Sequence, residues 1–249
     1  MQTRVALVTG AGSGIGAATA KSLAAQGNRV AVVDRSDQAH AVAEEITAAG
    51  GTAHPVLADI SDPDSVSRAV SDVTSALGPV EILVNNAGFA KDNHVLDMPL
   101  EDWDAVVGTV LRGSFLMLKA VGPAMRDAGW GRIVNISSIS ALVDGERANY
   151  VAAKAGLEGF TRATALDLAP HGITVNAVGP GVIPTGMTKV SAARAGRTVE
   201  EQLEVRRQGI PRGRVGTPHD IARAVLFFTA EDADFVTGQV IYVSGGPHG

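Results

Sequence analysis

Tyr150 and Lys154 stand four residues apart in the stretch YVAAK, and the chain holds only two tyrosines. On a helix, positions i and i+4 share a face, so phenol and ammonium become neighbours. A phenol has an unperturbed pKa of about 10 and is a poor base at neutral pH. A cation beside it favours the phenolate and lowers that pKa. The pair is a candidate proton donor and acceptor, although an isolated Y-x-x-x-K is more often only a tyrosine and a lysine on a helix. A second chemical signal lies near the N-terminus, where a short apolar run enters TGAGSGIG at 9–16 and then an Ala-rich stretch. Glycine permits a tight turn and close backbone approach to a pyrophosphate. The following helix N-terminus offers free N–H groups and the positive end of its dipole. Gly10, Gly14 and Gly16 give the spacing that best suits a strand–turn–helix; G-x-G-x-x-G/A is met only as Gly12, Gly14 and Ala17.

Asp34 closes the next apolar run, RVAVVD. A carboxylate there accepts hydrogen bonds from an adenosine ribose diol and repels a 2′-phosphate. Ser13 brings no cation into the glycine loop. Arg35, next to Asp34, is the counterargument for NADP. The charge logic favours NAD.

These groups need a scaffold, and the pattern supplies one. Apolar, β-branched runs at 4–10, 29–34, 52–59, 80–88, 131–138, 172–181 and 238–246 read as seven strands. Helical patterns lie between them, at 15–27, 37–49, 63–77, 101–128, 148–169 and 218–230. Gly27 stops the first helix, and Asp62-Pro63 supplies a cap and first turn for the third. Strict alternation with near-continuous apolar strands predicts an α/β chain. Its parallel, doubly wound sheet has helices on both faces. We read residues 1–249 as a single domain, with a polar, charged lid at about 185–214.

The bulk composition excludes several classes. A net charge of −5 argues against general nucleic-acid binding. The chain has no cysteine, which removes disulfides, thiolate chemistry and cysteine-ligated zinc, and fits a cytoplasmic protein. The six histidines show no metal-ligand spacing, so no catalytic metal is expected. The N-terminal run lacks the features of a signal peptide, and no apolar run reads as membrane-spanning.

With the glycine loop, NNAG at 85–88, NISS at 135–138 and YVAAK in this order, the whole chain resembles the short-chain dehydrogenase/reductase family. The resemblance implies a Rossmann fold and an NAD-dependent oxidoreductase that interconverts a secondary alcohol and a ketone. It implies that Tyr150 is the acid/base, that Lys154 lowers its pKa and binds the nicotinamide ribose, and that Ser138 positions the substrate oxygen. Along the cofactor it places Gly10, Ser13, Gly14, Ile15, Gly16, Asp34 and Arg35. LADI at 57–60 resembles the adenine segment, through Asp59 and Ile60. Asn86 resembles the residue lying along the cofactor, with Gly88 close by; Asn85 and Gly88 also read as braces of the sheet. PGVIPT at 180–185 resembles the nicotinamide segment, through Pro180, Gly181, Ile183 and Thr185. Hydride transfer to a carbonyl builds negative charge on oxygen, and hydroxyls from Ser138 and Tyr150 can both donate to it. Ser137 competes with Ser138, because relatives space the serine thirteen residues before the tyrosine. Aligning on the strand favours Ser138, with one residue deleted in the loop that follows, and Ser140 is a third choice.

The chain also departs from the family on the helix before the fifth strand. TVLRGSF at 109–115 puts Val110 where relatives carry an Asn that opens the helix and holds a water chain to the lysine. Valine has no side-chain hydrogen-bonding group, so the resemblance implies an altered proton relay. Met187 and Val190 in the lid, and Val143, Asp144 and Glu146 after Ser138, are candidates to line a substrate pocket. The lid's arginines read either as an attractor for an anionic substrate or as a solvated face. Trp103 and Trp130 read as packing residues. Family members are commonly homotetramers, built here on the 101–128 and 148–169 helices and the C-terminal strand. The rival readings are an NADPH-dependent 3-oxoacyl thioester reductase and, on Val110 alone, a dinucleotide-binding sensor or structural subunit.

Overall fold

The structure is a computed structural model that describes residues 3–142 and 144–247. Seven parallel strands form one sheet in the order β3-β2-β1-β4-β5-β6-β7. They are β1 Val5–Thr9, β2 Arg29–Asp34, β3 Thr52–Leu57, β4 Ile82–Asn85, β5 Gly131–Ile136, β6 Ile173–Pro180 and β7 Val240–Val243. The helices are α1 Gly14–Ala25, α2 Gln38–Ala48, α3 Pro63–Leu77, α4 Leu100–Val107, α5 Gly113–Ala128, α6 Ala148–Leu168, α7 Gly186–Arg194, α8 Val199–Arg207 and α9 Pro218–Thr229. The order reverses at β1/β4, where the chain crosses from one half of the sheet to the other. Such a switch point opens a crevice beyond the carboxyl ends of the strands.

Period-2 alternation divides the sheet between two cores. Ala6 and Val8 of β1 pack with α1, α2 and α9, beside Leu23, Ile46 and Phe228. Val5 and Leu7 face the other way and pack with α3 and α5, beside Val73, Met117 and Met125. Every residue of β1, β4, β5 and β6 is buried, which is why their sequences read as continuous apolar runs. Local signals set the helix ends. Asp62 accepts from the N–H groups of Asp64 and Ser65, and Pro63 opens α3.

Four expectations change. Strands β3, β4, β5 and β7 end two to three residues before the apolar runs do, because the chain leaves the ladder there to build the crevice loops. The 101–128 helix starts at Leu100 and carries a π-helical turn at Gly108–Arg112, between α4 and α5. That continuous segment, Leu100–Ala128, is long and apolar enough to cross a membrane by length and composition, contrary to the reading of the sequence. Its apolar face, through Met117, Val121 and Met125, is buried against the sheet instead. The polar segment 185–214, for which the sequence pattern assigned no helix, contains α7 and α8. Each opens on a capping box, Thr185 with Thr188 and Thr198 with Glu201, and these paired hydrogen bonds offset weak apolar patterning.

Candidate active site

A cleft of about 1520 Å³ runs along the carboxyl ends of the strands. Gly10, Ser13, Gly14 and Ile15 line one end of it. Gly14 sits at φ +55, a conformation most side chains avoid, as the strand turns into α1. The first N–H groups of α1 have no intrahelical acceptor, and Ser13 at the N-cap makes no side-chain capping bond. This cradle of main-chain donors fits a pyrophosphate. Gly16 does not line the cleft. A Cβ there would stand 2.2 Å from the Gly10 carbonyl oxygen, so its glycine serves the close approach of helix and loop.

Asp34 ends β2 facing the same cleft. Its Oδ2 accepts from the Gly12 N–H at 2.9 Å; its Oδ1 accepts from the Ser36 N–H at 3.0 Å and the Ser36 hydroxyl at 2.9 Å. These donors fix the carboxylate. Arg35 stacks 5.7 Å from the centre of the Phe89 ring. Asp59 and Ile60 line the adjacent wall. The Ser61 hydroxyl and N–H donate to the Asp59 carboxylate and hold it below the ordinary range; Arg35 contributes in the same direction. Asn86 lines the cleft, but its amide is committed: it donates to the carbonyls of Thr9 at 2.8 Å and Gly10 at 3.0 Å. It ties β4 to the glycine loop. Asn85 turns away from the cleft and donates to Asn135 within the sheet at 2.9 Å. Gly88 sits against Val110 and Lys154. Pro180, Gly181, Ile183 and Thr185 line the wall facing the glycine loop, with Thr185 capping α7 beside Gly14.

Between these walls stand the hydroxyls. Tyr150 lies in the first turn of α6, 7% exposed, and its phenol shares the cleft with Ser138. Asn149, fully buried, anchors that turn by donating to the Lys91 and Asp102 carbonyls. The geometry separates the competing serines. Ser137 donates to the buried carboxylate of Glu158 at 2.8 Å, behind the site. Ser138 faces the cleft and accepts from the Ser140 N–H at 3.1 Å. Lys154 is buried, and its Nζ donates to the Ile136 carbonyl at 2.6 Å, 5.5 Å from the Tyr150 ring centre.

The electrostatics depart from the i, i+4 argument. Burial pushes the Tyr150 phenol above its ordinary value; Ser138 and Arg147 draw it down, and Asp144 and Asp92 push it up. Burial alone depresses Lys154, to about 8. The cation drawing the phenol down in this structure is therefore Arg147, which the spacing argument missed. No motif marks it, because the loops around it meet only in the fold.

Val110 is 1% exposed in an apolar cluster with Val106, Tyr150, Ala153 and Leu157. The helix opens here without an Asn: the Ser114 hydroxyl, in the first turn of α5, donates at 2.7 Å to the Val110 carbonyl of the π-helical turn. Thr109 lines the cleft. In the outer part, Met187 and Val190 of α7, Asp144, and Leu203 and Arg206 of α8 form the walls. Val143 lies outside the described residues. Glu146 is not part of that wall; it pairs with Arg194 at 2.7 Å. Among the described residues no cluster of His, Cys, Asp and Glu could hold a metal ion.

A parallel doubly wound sheet with a main-chain anion cradle and a Ser–Tyr–Lys group at its switch point belongs to the dinucleotide-binding oxidoreductases. A profile of the family described as Enoyl-(Acyl carrier protein) reductase, one of the short-chain dehydrogenases, matches residues 10–248. The short-chain reductase protein NovJ of Streptomyces niveus is 41% identical over 246 residues, covering 98% of this chain and 94% of NovJ. The 3-oxoacyl-acyl-carrier-protein reductase FabG of Aquifex aeolicus (strain VF5) is 41% identical over 249 residues, covering 99% and 98%. The crystal structure of levodione reductase superposes with a TM-score of 0.94 at 35% identity, covering 99% of this chain and 98% of that one. The chain belongs to the short-chain dehydrogenase/reductase family of oxidoreductases, which bind a nicotinamide dinucleotide.

Proposed function

We propose that this protein is an NAD-dependent oxidoreductase that interconverts a small secondary alcohol and its ketone, with Tyr150 as acid/base, Ser138 as orienter of the substrate oxygen and Lys154 as ribose ligand. The observation that carries the reading is that Ser138, Tyr150 and Lys154 line one cleft with the glycine loop. The bound nicotinamide supplies or accepts the hydride. The residues do the rest. Ser138 and Tyr150 present hydroxyls to one substrate oxygen and stabilise charge as it develops there. Tyr150 donates its proton in reduction and, as phenolate, takes one in oxidation. Burial by Val106, Val110 and Ala153 keeps water from one side of the phenol.

Asp34 supports NAD. A carboxylate held by Gly12 and Ser36 suits a ribose diol and repels a 2′-phosphate. Arg35 supports the second reading, an NADPH-dependent reductase of 3-oxoacyl thioesters, and the names of the FabG relatives favour that substrate class. Phe115 on α5, Leu166 on α6 and Phe235 before β7 are exposed by 45%, 80% and 99%, and support a homotetramer built on those elements. A cytoplasmic location is part of the same proposal.

The test follows nicotinamide absorbance with NADH and NADPH against a panel of ketones and 3-oxoacyl thioesters. Turnover should be faster with NADH. Tyr150→Phe should lower kcat by about 10²–10⁴-fold while cofactor binding persists. Asp34→Ser should move the cofactor preference about tenfold toward NADPH, worth roughly 1.4 kcal/mol. Saturable cofactor binding without turnover on any substrate would instead favour the sensor reading.

A further inference from the structure

Three loops far apart in sequence bring a cluster of charges to the mouth of the cleft. Arg147 is the N-cap residue of α6, three positions before Tyr150. Its Nε lies 2.9 Å from Asp92 Oδ1, and its Nη2 donates to Asp92 Oδ2 at 2.9 Å. Its Nη1 reaches Asp144 at 3.4 Å. Asp144 accepts from the Ser140 hydroxyl at 2.8 Å, and the Ser140 N–H donates to Ser138. From the other side, Arg194 at the end of lid helix α7 pairs with the same Asp92 at 3.2 Å and with Glu146 at 2.7 Å. His94 approaches Glu146 at 3.4 Å. Glu146 sits at φ +57, the one non-glycine residue with positive φ among the described residues. That conformation is costly for a side-chain-bearing residue, and the contacts on both sides of Glu146 hold it there.

This cluster is the charged side of Tyr150. The polar and charged groups that share its cleft wall and act on it are Ser138 from the loop after β5, Lys154 from α6, Arg147 and Asp144 beside the start of α6, and Asp92 from the loop after β4. The α4–α5 side is apolar, through Val106 and Val110. The field at the phenol therefore depends on how far the carboxylates neutralise Arg147. Asp92 is shared between two guanidiniums, and one of them comes from the helix that walls the outer cleft.

We propose that Arg147 is a positioning residue that sets the proton affinity of Tyr150, and that Arg194 couples this setting to the docked position of the lid by sharing Asp92. With α7 docked, a second cation draws on Asp92 and leaves Arg147 less neutralised, which favours the phenolate. With α7 away, Asp92 belongs to Arg147 alone and the phenol holds its proton more firmly. Proton transfer is thereby matched to a covered cleft. The consequence for catalysis rests on the acid/base reading of Tyr150 above.

Because the chain has two tyrosines, the test can be direct. Protein labelled with carbon-13 at tyrosine Cζ gives one resonance for Tyr150 and one for Tyr242, assigned with Tyr242→Phe. Each midpoint is followed against pH, alongside the pH profile of kcat/KM for alcohol oxidation. Arg147→Gln should raise the Tyr150 midpoint by about one unit. Asp92→Asn should lower it, Arg194→Gln should raise it by less than Arg147→Gln, and Arg147→Lys should return it most of the way to the parent value. A purely structural role would change Tm and KM in all four variants and leave the midpoint in place, and that result overturns the proposal. So does a shift of the same sign in Arg147→Gln and Asp92→Asn. An unmoved midpoint in Arg194→Gln removes the coupling to the lid. Midpoint shifts in a parent chain that turns over no substrate would overturn the dehydrogenase reading and, with it, the catalytic consequence.

Discussion

The two ends of the sheet differ in how many partners they give a buried cation. At the amino ends of the strands, Arg4 pairs with Glu81 at 2.6 Å and Glu231 at 2.9 Å. Arg132, 1% exposed on β5, donates to the carbonyls of Gly131, Gly172, Ala230 and Glu231. Trp130 lies between the two guanidiniums, 3.8 Å from one and 4.5 Å from the other. Arg4 and Arg132 are thus fully engaged, although burial lowers Arg132 as well and the nearby Arg29 Nε, at the start of β2, has no partner. At the carboxyl ends Lys154 is buried with one carbonyl partner, and burial depresses it. One end is built to hold the sheet together, and the other holds groups in a state the fold alone does not favour.

Replacing one cation at each end should give stability changes of opposite sign. Arg132→Met leaves four carbonyls without their donor in the interior. It should cost about 3 kcal/mol, read from urea unfolding, with kcat of the folded fraction unchanged. If Arg132→Met is neutral, the amino-end network contributes nothing and the contrast fails.

Lys154→Met should do the reverse. Its folded value is about 8 against an ordinary 10.5. Below the lower value both folded and unfolded chains carry the proton, and the fold bears the full cost of the buried charge. Between the two values only the unfolded chain binds it, so stability rises with pH across that window. Removing the amine should add about 3 kcal/mol at pH 7, less whatever the unpaired Ile136 carbonyl costs, and the gain should fade toward pH 10. Activity should be lost. Paired unfolding curves at the two pH values check the sign; a gain that does not shrink with pH would place its origin in packing instead.

The same division explains what could be read in the sequence. Features encoded by neighbouring residues were legible: the glycine turn, Asp34 at the end of its strand, the Asp62-Pro63 cap, and the seven apolar runs that give the strand order its elements. Ser137 and Ser138 could not be separated by counting, because a loop of altered length follows them; the fold divides them by sending Ser137 to Glu158. Arg132 gave no signal, since an arginine inside an apolar strand is ordinarily at the surface and its four carbonyl partners come from other segments. Arg147, Asp92 and Arg194 were missed for the same reason. Their pairing depends on three connections that only the sheet brings together, and the charges of the lid read as a solvated face when counted along the chain.

Val110 gives the smallest expected effect and the finest division between the two ends. It carries no charge, yet it occupies the one side of Tyr150 that the fold has made apolar. The π-helical turn persists there because Ser114 satisfies the Val110 carbonyl, so the missing amide does not cost the opened helix. What it removes is a polar group beside Gly88 and the Lys154 amine, where Cγ2 of Val110 already lies 3.1 Å from the place of a Gly88 Cβ. Val110→Asn should therefore fit by volume and lose about 1 kcal/mol for burying an amide among Val106, Ala153 and Leu157. If the amide restores a hydrogen-bonded path to Lys154, kcat should rise or the pH profile should move. If neither changes, the proton of Tyr150 is governed from the Arg147 side alone, and the apolar wall of Val110 serves to keep that field unscreened by water.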